Sequence, residues 1–390
     1  MISSYYSPTR VVFGKGAKSE VGKELEKEGA KKVLVHFGGS SAEKSGLLSL
    51  VRKSLKEKKI DFVELGGVKP NPRLSLVRKG IEIGKKEGVD FILAVGGGSV
   101  IDSAKAIGYG IKECGDVWDF YDGRKEAQNS VPIGVILTLS ATGSELSNSS
   151  VITNEEGFLK RGYNNDISRP RFAILDPELT YTVSRYQTEV GSIDIMMHTI
   201  ERFFHSGDGL DFTDELAATL IRDTIEKGLI AIENPDNYQA RASLMWASSL
   251  SHNGLMALGN DQRGDWACHQ LEHELSGMFD IAHGAGLAIL FPAWCQYVYK
   301  DEPERFAKLG RLVFGIKESG EDGALLTIEK FKQCFREFEM PLSLKEAGID
   351  LSDEMLEELL DKATFYGKRT LGAFKTLERE DMKAIYLLAK

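Results

Sequence analysis

Short apolar, β-branched runs alternate with amphipathic stretches along the chain as far as Asp176-Pro177. Runs at 10–13, 32–37, 61–65, 91–95, 131–137 and 172–175 predict strands, and helical periodicity at 42–58, 74–86 and 99–108 fills several of the gaps. Strands separated by helices of that length imply βαβ units and a largely parallel sheet. Past Asp176-Pro177 the β-branched runs stop and successive helices are predicted, including 188–204, 213–232, 238–256, 266–278 and 285–299. The shift in composition near residue 180, without a flexible linker, predicts two domains, 1–182 and 183–390. From about Asp301 onward the pattern is amphipathic helix with glutamates and lysines on a solvated face.

Length agrees with that division, since 390 residues exceed what one hydrophobic core usually supports. A net charge of -9 argues against a nucleic-acid surface, which needs a basic stripe. No apolar run approaches the roughly 20 residues that span a bilayer, and MISSYYSPTRVVFGKG lacks the apolar core of a signal peptide, so no membrane association and a cytoplasmic location are expected. The four cysteines are scattered with no CxxC pair, which indicates neither a disulfide framework nor a zinc knuckle. Cys268 adjoins His269, but a free cysteine is most often a small buried hydrophobe.

Candidate chemistry enters at two places. The strand at 91–95 runs into Gly96-Gly97-Gly98-Ser99 and then a helix, within GGGSVIDSAKAI (96–107). Such a turn lets backbone approach a ligand and aims N–H groups and the helix dipole at an anion, with pyrophosphate the expected occupant. The spacing is neither GxGxxG nor the Walker pattern. Asp102 has two readings: a first-turn carboxylate that complements the dipole, which spacing alone favours, or a catalytic group facing nicotinamide or substrate. A second glycine turn, Gly38-Gly39-Ser40-Ser41, follows the strand ending at Phe37. With no carboxylate in that turn to pair with a ribose 2′-hydroxyl, it favours NADP(H), NAD(H) being the alternative; Lys44 adds charge and Glu43 opposes it. TLSATGSE (138–145) offers hydroxyls suited to a ribose or carboxamide, though by itself it is an ordinary polar loop, and Lys160 and Arg161 read first as solvated.

The second place is a set of histidines. Asp194 and His198 stand four apart in a helical pattern, so both project from one face. His269 and His273 repeat that spacing, and His283 opens a third helix. His36, His205 and His252 read as ordinary core or surface residues. Imidazoles with one carboxylate suit Zn(II) or Fe(II), and the lack of thiolates argues against a purely structural site. One Asp against a divalent ion leaves net positive charge, which would draw an alkoxide or a polarised carbonyl oxygen.

Taken together, GGGSVIDSAKAI, TLSATGSE, LDPELTYT from Leu175, the DxxxH at Asp194 and the HxxxH with His283 resemble the iron-containing, group III alcohol dehydrogenase family over nearly the whole chain. GGSSAEKSG (38–46), GGVKPNP (66–72) and ITNEEG (152–157) resemble its butanol dehydrogenase and broad-range aldehyde reductase branch. The resemblance implies a dehydroquinate synthase-like fold, with an α/β Rossmann-like first domain, an all-α second domain and a cleft between them. By position it makes Asp194, His198, His269 and His283 the metal ligands and His273 the unligated histidine near the nicotinamide. Gly97, Gly98 and Ser99 would hold pyrophosphate, Thr138 and Thr142 the nicotinamide side, and Gly39, Ser40 and Asn71 the adenosine side. Lys160 matches a family lysine near the cofactor phosphates or ribose. The implied activity is reversible hydride transfer between NAD(P)H and an aldehyde or primary alcohol, by a homodimer, with His273 relaying a proton through water or a ribose hydroxyl. Two rivals remain: a metal- and nucleotide-binding sensor without turnover, and a glycerol-type polyol dehydrogenase, against which a fourth ligand argues. Two departures from the family pattern are Ser276, where many members have glycine, and LTLSA before TGSE.

Overall fold

A computed structural model describes residues 2–205, 209–259 and 264–390. Six strands form a parallel sheet: β1 (Arg10–Phe13), β2 (Lys32–Phe37), β3 (Asp61–Leu65), β4 (Phe91–Gly96), β5 (Ile133–Leu137) and β8 (Phe172–Leu175), in the order β1-β8-β5-β4-β2-β3. The remaining pair, β6 (Ser149–Asn154) and β7 (Leu159–Asn164), makes an antiparallel hairpin that the periodicity does not predict. Alternate residues of the sheet feed two apolar layers. Val33, Val35, Leu93, Val95 and Ile174 face Leu48, Val51 and Leu55 on one side; Leu34, Ile92, Ala94, Val135 and Leu175 face Val77, Ile101 and Ala104 on the other. Burial on both faces is why the inner strands β4, β5 and β8 read as continuous apolar runs.

The register decides where ligands can reach. Phe37 pairs with Val95, and Gly96 with Leu137, so β2, β4 and β5 end at one level. The chain moves from β2 outward to β3, then returns to β4 on the other side of β2. That reversal is the topological switch point where open α/β sheets bind ligands, outside the carboxyl ends of the strands.

Helix boundaries follow the predicted ones closely, with one break. The stretch expected at 42–58 is two helices, Ser41–Lys44 and Leu47–Glu57, because Gly46 between them takes a left-handed φ of 78°. Compactness divides the chain into Tyr6–Val183 with Asp236–Asn253, and Met1–Tyr5 with Ser184–Pro235 and Gly254–Lys390. The helix Tyr238–His252, expected in the second domain, thus belongs to the sheet-containing unit, where Ser249 Oγ donates to the buried Glu145 at 2.6 Å. The other unit is helical. Its core includes Phe204, Trp294, Phe306 and Phe374 in mutual ring contact. No helix among the described residues is long and apolar enough to cross a membrane.

Candidate metal centre and dinucleotide site

Three helices of the helical unit supply the predicted ligands. Arg185–Phe203, started by Ser184 Oγ accepting from the Gln187 N–H, carries Asp194 and His198 one turn apart. Ala267–Phe279 carries His269 and His273, and His283 is the first residue of His283–Val298. Close approach of the third helix to the first depends on Gly284, where a Cβ would lie 2.2 Å from the Val190 carbonyl oxygen.

Asp194, His198 and His269 bring ligand atoms within 4.8 Å of one another, and His283, which lies in the same way beside Glu272 and His273, also reaches Asp194. Asp194 Oδ1 lies 3.2 Å from His198 Nδ1, 3.8 Å from His269 Nε2 and 3.7 Å from His283 Nε2. Asp194, His198 and His269 are buried, and the His283 side chain is 23% exposed. Asp194 Oδ1 and His269 Nε2 have no hydrogen-bond partner among the described residues. Buried polar atoms are nearly always paired, so an orphaned carboxylate oxygen aimed at an orphaned imidazole nitrogen suits a site that binds a cation. The electrostatics agree. Burial opposes a charge on Asp194, yet His198, His269 and His283 around it hold the carboxyl well below its ordinary range. Burial likewise keeps His198 well below the usual imidazole value. His269 is the exception: burial works to lower it, but Glu201 and Asp194 outweigh that and raise it to about 9. A metal bound here would have to displace that proton.

Two functional residues escaped the sequence reading. Glu201, one turn beyond His198, accepts from His269 Nδ1 through Oε2 and from the Cys268 N–H through Oε1 at 2.8 Å. Glu272, three residues after His269, faces His283 Nδ1. Each fixes an imidazole with its N–H on Nδ1 and its lone pair on Nε2, toward Asp194. The expectation of one carboxylate against a divalent ion therefore needs correction, because two more carboxyl groups stand one imidazole away and moderate the net positive charge. The only signal for them was an acid three residues after a helical histidine, HxxE, which also describes a solvated helix face. Cys268 is buried, its thiol pushed far up by that burial, and it is not among the converging donors. His273 sits beside the centre, its ring centroid 5.9 Å from that of His283.

In the sheet-containing unit the predicted turns meet at the switch point. Gly97 caps the Gly98–Lys112 helix, its carbonyl accepting from the N–H groups of Val100 and Ile101. The preceding N–H groups, of Gly98 and Ser99, are first-turn donors without intrahelical partners, as an anion site requires. Gly98 is needed for space, since a Cβ there would fall 2.3 Å from Thr142 Oγ1. Thr138 donates its N–H to the Gly96 carbonyl at 3.1 Å, which joins the 138–142 loop to β4. Gly38 accepts from the Gly67 N–H at 2.8 Å, bringing the Gly39-Ser40 turn beside the loop that ends in buried Asn71, whose φ is 53°. Glu43, the acid nearest that turn, is held by Arg52 through two contacts of 2.8 Å.

Asp102 is placed as a tether. One carboxylate oxygen accepts from Ser144 Oγ at 2.6 Å and the other from the Val151 N–H at 3.0 Å. Buried Lys105, lowered to about 8 by desolvation against the pull of Asp102 and Glu145, donates to the carbonyls of Ser144, Ser147 and Ser149. Together they pin the loop that carries Thr142. His252, expected to be an ordinary histidine, bonds the Thr142 carbonyl through Nδ1 at 2.7 Å. Lys160, read first as solvated, is buried in β7; burial raises the Asp102 carboxyl above its ordinary range, with Lys105 and, more weakly, Lys160 pulling against that rise.

Residues 8–177 match the family model "Iron-containing alcohol dehydrogenase", and residues 188–389 match "Fe-containing alcohol dehydrogenase family, C-terminal". The chain is 42% identical over 390 residues to NADH-dependent butanol dehydrogenase A of Clostridium acetobutylicum, covering 99% of each. It is 33% identical over 389 residues to the NADPH-dependent aldehyde reductase YqhD of Escherichia coli, covering 99% of this chain and 98% of that one. The crystal structure of NADH-dependent butanol dehydrogenase A from Thermotoga maritima superposes with a TM-score of 0.96 at 40% identity, covering 100% of this chain and 98% of the other.

Proposed function

Because this chain belongs to the iron-containing alcohol dehydrogenase family, we propose that it transfers hydride between a nicotinamide dinucleotide and a small aldehyde or primary alcohol of the butanal and butanol type, at one divalent metal held by Asp194, His198, His269 and His283. It is an oxidoreductase of the alcohol dehydrogenase and aldehyde reductase class. The observation that carries the metal reading is the buried Asp194 Oδ1 facing His269 Nε2 with no hydrogen bond to either. One carboxylate and three imidazoles without thiolate suit Fe(II) or Zn(II).

When bound, the ion supplies a Lewis acid for the substrate oxygen, and the dinucleotide supplies or takes the hydride. The chain's residues bind, orient and move a proton. Glu201 and Glu272 fix the tautomers of His269 and His283. Gly97, Gly98 and Ser99 present backbone to the pyrophosphate, Gly38, Gly39, Ser40 and Asn71 line the adenosine side, and Thr138 and Thr142 line the nicotinamide side. Lys105, with Asp102, steadies the same loop, and Lys160 is taken as the lysine near the cofactor phosphates or ribose. His273 delivers the proton that the carbonyl oxygen takes as its carbon is reduced.

NADPH is the preferred cofactor in this reading. The turn after β2 has no carboxylate of its own, and Arg52 holds Glu43, so a 2′-phosphate meets no unpaired acid there. The reading also takes the protein as a cytoplasmic homodimer, which the edge position of β1 supports. Metal-stripped protein reloaded with Fe(II) or Zn(II) should oxidise NADPH on addition of butanal, and NADH more slowly. No loss of reduced nicotinamide with either ion, across a panel of aldehydes, overturns the proposal.

A further inference from the structure

We infer that Glu272 and Ser276 form a positioning pair that sets how tightly the metal is held through His283. The inference rests on the metal site proposed above and concerns which residues outside the ligand set govern its affinity.

Glu272 has no exposed surface, yet both of its carboxylate oxygens are engaged. Oε2 faces His283 Nδ1, and Oε1 accepts from Ser276 Oγ one helical turn on. Space for that carboxylate is kept on the facing helix by Gly286, where a Cβ would lie 2.8 Å from Glu272 Cγ and 2.9 Å from Oε1. Ser276 also holds the turn that leads to the ligand. Its own carbonyl accepts from the Asp280 N–H at 3.1 Å. Asp280, with φ at 51°, reverses the chain there.

His283 is the ligand that most needs such a hold. It is the first residue of its helix, follows a tight reversal and is the most exposed of the four ligand candidates. A carboxylate at Nδ1 keeps the proton on that nitrogen and the lone pair on Nε2, and it makes the imidazole a stronger donor. Ser276 in turn fixes the carboxylate by a charge-assisted bond. A glycine at 276 would leave Oε1 without that bond.

The test is a Zn(II) titration of the metal-stripped full chain against a chromophoric chelator, for wild type, Glu272→Gln and Ser276→Ala, with the ion content counted by elemental analysis. Gln keeps the shape and an acceptor for His283 while removing the charge. The dissociation constant should rise roughly 10–100-fold for Glu272→Gln and by a smaller factor for Ser276→Ala. The thermal midpoint of metal-free Glu272→Gln should not fall, as it would if the residue served packing alone. Wild type should hold one ion per chain. A Zn(II) affinity within about twofold of wild type in both variants overturns the inference, judged against the expected effect. Two ions per chain overturns it as well, since Glu272, His273 and His283 offer ligand atoms within 4.8 Å of one another and Glu272 would then be a ligand itself. No uptake by wild type overturns the metal reading and this inference together, whereas normal uptake with unchanged variants overturns this inference alone.

Discussion

Acid should loosen the sheet through a single buried imidazole, and His36 lets the size of the effect be worked out in advance. The side chain has no exposed surface. Nδ1 lies 2.8 Å from the Leu65 carbonyl, which can only accept, so Nδ1 carries the proton and Nε2 accepts from Ser103 Oγ at 2.8 Å. Burial lowers the imidazole from 6.5 to about 4, against a smaller upward pull from Leu65. The unfolded chain therefore binds a proton between those values that the folded chain refuses, and stability falls as pH falls. The loss is absent above about pH 6.5, reaches about 2 kcal/mol at about pH 5 and levels off near 3 kcal/mol below the folded value. Other groups titrate too, so the comparison is with His36→Asn, whose amide can donate to Leu65 but does not ionise. Amide exchange of peptides covering β2 and β4, corrected for intrinsic rates, reads the opening free energy in each protein. Wild type should lose about 2 kcal/mol more than the variant between about pH 7.5 and about pH 5. Parallel profiles for the two proteins would refute the reasoning.

Replacing His273 by Ala should leave one metal ion per chain but lower kcat by roughly 10²–10⁴-fold, the usual contribution of a positioned proton donor; unchanged turnover at saturating substrate removes it from the mechanism. Gly98→Ala drives a Cβ to 2.3 Å from Thr142 Oγ1. It should weaken dinucleotide binding by roughly tenfold or more, equivalent to about 1.4 kcal/mol, with metal content intact. Calorimetric titration with NADPH checks this, and wild-type affinity would show that the turn is not the binding surface.

The inner strands β4, β5 and β8 were legible because burial on both faces leaves no polar residue to interrupt the apolar run, whereas β2 includes His36 and the half-exposed edge strands β1 and β3 keep Arg10, Asp61 and Glu64 around short apolar, β-branched cores. The β6–β7 hairpin was not, because SSVITN and LKRGYN are rich in polar and charged residues that the structure nevertheless buries, Lys160 and Arg161 among them. Gly46 shows a second limit: a helix break that depends on one left-handed φ hardly disturbs the periodicity on either side. At the metal centre the DxxxH and HxxxH spacings carried the ligand candidates, since side chains four apart on a helix share a face. Glu201 and Glu272 were hidden by the same logic, because an acid on a helix is ordinarily read as solvated. Only the packing of the helices against each other turns those carboxylates inward.

The helix Tyr238–His252 has a consequence for anyone who would treat this chain as two modules joined end to end. A fragment ending at Val183 would possess all six strands of the main sheet and the glycine turns, but it would lack the 15 residues that bring Ser249 to Glu145 and His252 to the Thr142 carbonyl. Its partner fragment would carry a helix evolved to pack elsewhere. The polypeptide passes from one compact unit to the other at Tyr5, Val183, Pro235 and Asn253. A cut at Val183 or Pro235 splits both units, and a cut at Tyr5 or Asn253 splits the helical one while leaving the sheet-containing one in a single fragment, so no single cut yields two whole units.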